Sequence, residues 1–95
     1  MLEESVKKRF RRAIISAERI LSTPIGNART IRLESEVFNI ESIRKKEIRK
    51  IRIVLGKINE VDRKLVKEFE LPEICTKEIW SRKLNGGFEI ETIDN

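Results

Sequence analysis

The chain has no histidine and a single cysteine, Cys75, among its 95 residues. Histidine is the commonest metal ligand and the commonest neutral-pH base, so its absence removes most metal-centred and general-base chemistry. One cysteine cannot close an internal disulfide, and without histidine it cannot build a zinc finger. Cys75 is expected as a small core residue in a reducing, cytoplasmic setting. Glutamine and tyrosine are also absent, and methionine occurs once. With abundant Ile, Lys, Arg and Glu, this is the composition of a heat-adapted protein, in which ion-pair networks carry more weight. No apolar run reaches the ~18 residues of a membrane span. The N-terminus places Glu3 and Glu4 before its basic run and has no apolar h-region, so no signal peptide is expected. Gly26 is followed by no Lys-Ser/Thr pair, so it does not open a phosphate loop. No catalytic residue, cofactor or metal is expected from these absences.

What the chain does have is charge, unevenly spread. Residues 1–59 hold 15 Lys/Arg against 7 Asp/Glu, while residues 60–95 hold 6 against 9. The basic residues concentrate in two runs, Lys7–Arg12 and Arg44–Arg52. A surface that gathers positive charge attracts polyanions, because each neutralised phosphate releases condensed counterions. Ninety-five residues make one domain, 1–95, and its fifteen isoleucines argue against disorder. A domain this small often borrows stability from a second copy, so a homo-oligomer is expected.

Periodicity predicts a helix over residues 2–22. Leu2, Val6, Phe10, Ala13, Ile14, Ala17, Ile20 and Leu21 share one face, and Glu3 and Glu4 suit its N-terminal dipole. Lys8, Arg11, Arg12 and Arg19 lie opposite, with Ile15 among them. Pro24, Gly26 and Asn27 break the pattern. Thr30–Glu34 alternates as a short strand. Residues 42–57 read as a second helix, with Lys45, Lys46, Arg49 and Arg52 on its basic face and Ile53 stranded among them. The alternative is a strand, because Ile51, Ile53 and Leu55 also keep period two. Gly56 ends this element, and Asn59 caps a short helix over 60–70 with Asp62 at N3. Pro72 suits the first turn of a further helix to Leu84 that carries Trp80 in the core. Phe88–Ile93 alternates as a strand, with Thr30–Glu34 as its internal partner.

Helix, break, helix over 60–84 is the outline of a helix-turn-helix, with Lys77, Ser81, Arg82 and Lys83 on the would-be recognition helix. Val61-Asp62-Arg63-Lys64-Leu65 resembles the first helix of small feast/famine-type regulators, which would imply DNA binding. That likeness covers residues 60–69 alone, and Gly86-Gly87 and an acidic strand stand where a third helix would follow. Glu89 and Glu91 share a strand face without a third ligand, which reads as an exposed face that blunts a sheet edge. Only Phe10 among the aromatics lies in a basic run, and on its apolar side, so single-strand binding by base stacking is disfavoured.

The sequence therefore leads to a mainly α domain of three to four amphipathic helices with a small β element at 88–93; the alternative is α+β. The expected function is that of a small basic non-enzymatic nucleic-acid-binding protein, such as a transcription or replication accessory factor. Its phosphate contacts are Lys8, Arg11, Arg12, Arg19, Lys45, Lys46, Arg49 and Arg52. The alternative is a helical assembly subunit, viral or from a larger complex, with a protein partner.

Overall fold

A computed structural model describes residues 2–94, with side chains from residue 5 onward. The contacts expected of Leu2, Glu3 and Glu4 lie outside the described residues. The chain is α+β, 36% strand and 30% helix. Helix α1 (Leu2–Ser22) is followed by β1 (Arg29–Arg32), β2 (Ile40–Arg44), β3 (Glu47–Leu55), α2 (Glu60–Glu68), β4 (Cys75–Arg82) and β5 (Phe88–Ile93). The five strands form one sheet in chain order, antiparallel except for β3 and β4, which run parallel across the α2 crossover. This replaces the expected mainly α bundle.

The helices lie on opposite faces of the sheet. Side chains alternate along a strand, and paired residues share a face. One face of β3 offers Ile51, Ile53 and Leu55 to Phe10, Ala13, Ile14 and Ala17 of α1, with Ile40 and Trp80 from the neighbouring strands. The other offers Val54 beside Ile79 to Val66 of α2, closed by Phe38, Ile58 and Ile93. Two small alanines, both fully buried, let α1 approach the sheet closely.

Residues 42–57 are therefore a hairpin and a long strand, not a helix. Arg, Lys and Glu favour helices by only tenths of a kcal/mol per residue, which tertiary partners override. Arg49 bonds Glu78, Lys50 bonds Glu41 and Arg52 bonds Asp62, and the strand geometry is what brings each acid within reach. Ile53 is buried core rather than an apolar residue stranded among bases.

Residues 72–84 likewise form no helix, and the helix-turn-helix is absent: Cys75–Arg82 is the interior strand β4, parallel to β3. A strand covered on both faces is buried almost throughout and shows no alternation. In β4 the polar residues Lys77, Glu78 and Ser81 are buried with the apolar ones. Lys77 donates to the carbonyl of Lys67 at the end of α2 (3.0 Å), and Ser81 donates to the carbonyl of Gly56. Cys75 is buried in this strand, as is Trp80.

Other expectations hold in the structure. Asn59 caps α2, accepting from the Asp62 N–H (2.9 Å), while Asp62 accepts from the Asn59 N–H (3.3 Å). Phe88–Ile93 is a strand, but it pairs with β4, and the short strand β1 lies at the far edge of the sheet beside β2. Gly26 packs under the end of α1, where a Cβ would collide with the Leu21 carbonyl oxygen.

Candidate functional site

The sheet has two ends, and they divide the basic residues. β3 and β4 are parallel, so both finish at the same end, where the β4–β5 hairpin turns and the N-terminal half of α1 passes. The β2–β3 turn lies at the other end. Nine residues of β3 separate the two, roughly 26 Å at the rise of an extended strand.

At the first end, Arg9 and Arg12 of α1 face Arg82 and Lys83 of β4 and its turn across a cleft of about 210 Å³, completed by Leu55, Leu84 and Gly86. Among the described residues, four cations line it and no carboxylate does. Residues 5–17 contain no acidic residue. Among the described residues, Lys7, Lys8, Arg9, Arg11, Arg12, Arg82 and Lys83 take part in no ion pair.

Arg82 is held in place. Its guanidinium donates to Ser16 Oγ (3.2 Å) and to the Gly86 carbonyl, and lies 4.9 Å over the Phe88 ring. That engages two of its five N–H donors and leaves the others for an anion. The turn beneath it is equally defined. The Lys83 N–H donates to the Gly87 carbonyl (2.8 Å), the Gly86 N–H to the Lys83 carbonyl (3.1 Å), and Gly86 has φ 96°. This is a β-turn with a glycine in the left-handed region, the geometry of a three-residue hairpin loop.

The eight residues read from the sequence as phosphate contacts do not form one surface. Arg12 lines the cleft. At 100° per residue, Lys8 and Arg19 point away from the sheet and Arg11 falls on the opposite flank from Arg12. Lys45 and Lys46 sit in the β2–β3 turn at the far end, Lys45 with φ 54°. Arg49 and Arg52 serve the fold. Arg52 bonds Asp62 (3.1 Å) and the carbonyls of Glu36 and Val37 (both 3.0 Å). Arg49 makes a two-pronged pair with Glu78 (2.7 and 2.6 Å), whose Oε1 also accepts from the Trp80 indole (2.9 Å). Arg9 completes the cleft from within the first run. Arg82 and Lys83 were visible as basic residues, but nothing local showed that their segment is a strand folded back beside α1.

Burial drives the Glu78 carboxyl upward, but the hydrogen bonds from Arg49 and Trp80 outweigh it and hold Glu78 below the usual carboxylate range. A depressed folded-state value stabilises the fold above the unfolded value of about 4.3, and that stability is lost as pH falls through the folded value. The melting temperature of the parent protein is expected to drop steeply below about pH 4. Glu78→Gln is expected to cost about 2–3 kcal/mol at neutral pH, less than for a fully buried pair, because Arg49 is 32% exposed and can rehydrate. It should also flatten the acid dependence. Thermal melts of both proteins from neutral to acidic pH check this, and an unchanged acid slope in the variant would count against it.

No family model, curated protein or solved structure matches this chain. Function is therefore argued from the surface itself. Among the described residues, no three or more His, Cys, Asp or Glu side chains converge as a metal site, and no helix is long and apolar enough to cross a membrane. The broad groove between α2 and β5 mixes Glu60 and Asp94 with Arg63, Lys64 and Lys67, so it selects neither sign of charge. The cleft between α1 and the β4–β5 hairpin differs in that its described lining carries one sign of charge alone.

Proposed function

We propose that the protein is a small non-enzymatic nucleic-acid-binding protein, and that its phosphate contacts come from the α1–hairpin end. The observation that carries this reading is the convergence of Arg9, Arg12, Arg82 and Lys83 on one cleft with no carboxylate among its described residues. Lys7, Lys8 and Arg11 extend the same positive field along α1. Like charges held this close raise the energy of the isolated protein, and a polyanion relieves it by exchanging condensed counterions for fixed cations. The buried thiol of Cys75 suits a reducing, cytoplasmic setting.

Affinity for a short duplex, measured across a salt series, tests the reading. Four to six phosphate contacts predict a slope of log K against log salt of about −4 to −5. Affinity for duplex DNA that is absent at moderate salt, or indifferent to it, would remove the proposal.

A second reading, an assembly subunit, is favoured by Val6, Ile15 and Ile20, which stay 49%, 38% and 48% exposed along α1. Association through them would produce a dimer or larger species in light scattering that survives high salt.

A further inference from the structure

The apex of the β4–β5 hairpin is occupied by Leu84, whose side chain is fully exposed (102%). Nothing among the described residues packs on it. The turn is fixed by Lys83, Gly87 and the positive φ of Gly86, with Asn85 Oδ1 accepting from the Gly87 N–H (3.1 Å). A polar side chain at position 84 would leave every one of these contacts intact. Leu84 stands between two clefts, one lined by Arg9, Arg12, Arg82 and Lys83, the other by Lys57, Lys83, Ser81 and Glu89. Ile25 is comparably exposed (90%), but it lies in the α1–β1 turn and lines neither cleft. Leu84 is thus an apolar point on a defined turn, with cations as the only charged groups in the described lining on its α1 side and Lys57 beside Glu89 on the other.

We propose that Leu84 is a wedge for duplex DNA. The hairpin tip enters the minor groove, Leu84 inserts between two base pairs, and Arg9, Arg12, Arg82 and Lys83 hold the phosphates on the α1 side. The inference rests on the nucleic-acid reading above and deepens it. Charge complementarity selects the occupant, because an apolar partner would have to desolvate Arg82 and Lys83, which line both clefts beside the leucine. Inserting an apolar side chain unstacks one step and kinks the duplex by about 20–90°, at a cost that falls when the step is already weakened. The protein should therefore bend DNA and prefer a duplex carrying one mismatch over the same duplex fully paired, by about tenfold.

Energy transfer between fluorophores at the two ends of a short duplex reads the bend, and titration of paired and mismatched duplexes reads the preference. The parent chain is compared with Leu84→Ser and Leu84→Met, whose folding is verified by their melting. The expected result is a bend and a mismatch preference in the parent and in Leu84→Met. Leu84→Ser should lose both while keeping the parent's salt slope, since no cation is removed. A parent that binds duplex without bending it, or a Leu84→Ser variant that bends as the parent does, overturns the wedge and leaves the phosphate-binding reading standing. A Leu84→Ser variant that bends normally but loses self-association in light scattering overturns it in favour of a protein contact. A parent that binds no duplex removes both.

Discussion

Replacing Trp80 with alanine is expected to lower stability by about 3–5 kcal/mol, a large share of the roughly 5–14 kcal/mol open to a chain of this length. The ring is 1% exposed and belongs to the cluster formed by Ala13, Ala17, Leu21, Ile40, Ile51 and Ile53. Phe88 packs against it with centroids 5.3 Å apart, and the Arg49 guanidinium lies 5.7 Å from its ring. Its truncation opens a cavity beneath α1 and removes the indole donor to Glu78. Trp80→Phe separates the two effects. It keeps most of the packing and loses the hydrogen bond to a carboxylate, a cost of about 1.5–3 kcal/mol. Denaturant titration of the three proteins gives the numbers. Because Trp80 is the chain's one tryptophan, its emission in the parent reports the same environment and should be blue-shifted and resistant to quenching. A red-shifted, easily quenched emission, or a loss under about 1 kcal/mol in Trp80→Ala, would contradict this placement.

The larger functional effect is expected from reversing charge at the cleft. The triple variant Arg9→Glu, Arg12→Glu, Lys83→Glu removes three candidate phosphate contacts and adds three repulsive groups. Affinity for duplex should fall by roughly a hundredfold or more at moderate salt, and the salt slope should shrink by about three. Arg82 is left alone because its bonds to Ser16 and Gly86 help hold α1 and the hairpin. None of the three substituted residues takes part in an ion pair among the described residues, so the melting temperature should hold or rise as repulsion is relieved. The matched control is Lys45→Glu with Lys46→Glu. It changes charge in the β2–β3 turn, at the opposite end of the sheet, and should weaken binding only a few-fold through the long-range field.

These two predictions draw on parts of the molecule that differ in how plainly the sequence expresses them. Helix α1 is legible because its buried stripe, Phe10, Ala13, Ile14, Ala17 and Leu21, keeps a 3.6-residue period on one side of a single sheet. The first turn of α2 is legible because a capping box is a local code, complete within Asn59–Asp62. β5 is legible from the alternation of Phe88-Glu89-Ile90-Glu91, although Phe88 packs on the α1 side of the sheet, Ile93 on the α2 side and Ile90 is exposed. β3 and β4 are the opposite case. Both are covered on two faces, so they lack clean alternation, and both carry charges that read as surface. Arg49 and Glu78 lie 29 residues apart, Lys50 and Glu41 are separated by 9, and Arg52 and Asp62 by 10. No window of sequence reveals that those cations are already neutralised. The same cause dispersed the candidate site. The density of cations in the second basic run suggested one face shared by Lys45, Lys46, Arg49 and Arg52, but the hairpin sends two of them to a turn and two into the body of the protein. Arg82 and Lys83 join Arg9 and Arg12 only through the parallel β3–β4 pairing and the hairpin that follows it, which are long-range facts.

Backbone amide shifts recorded while a short DNA duplex is added test the central claim most directly. The account predicts that the large changes fall on residues 7–16, on Lys57 and on residues 82–87, at one end of the sheet, and that they fade as salt is raised. Changes concentrated on residues 44–47 or on α2, or no changes at all, would contradict it.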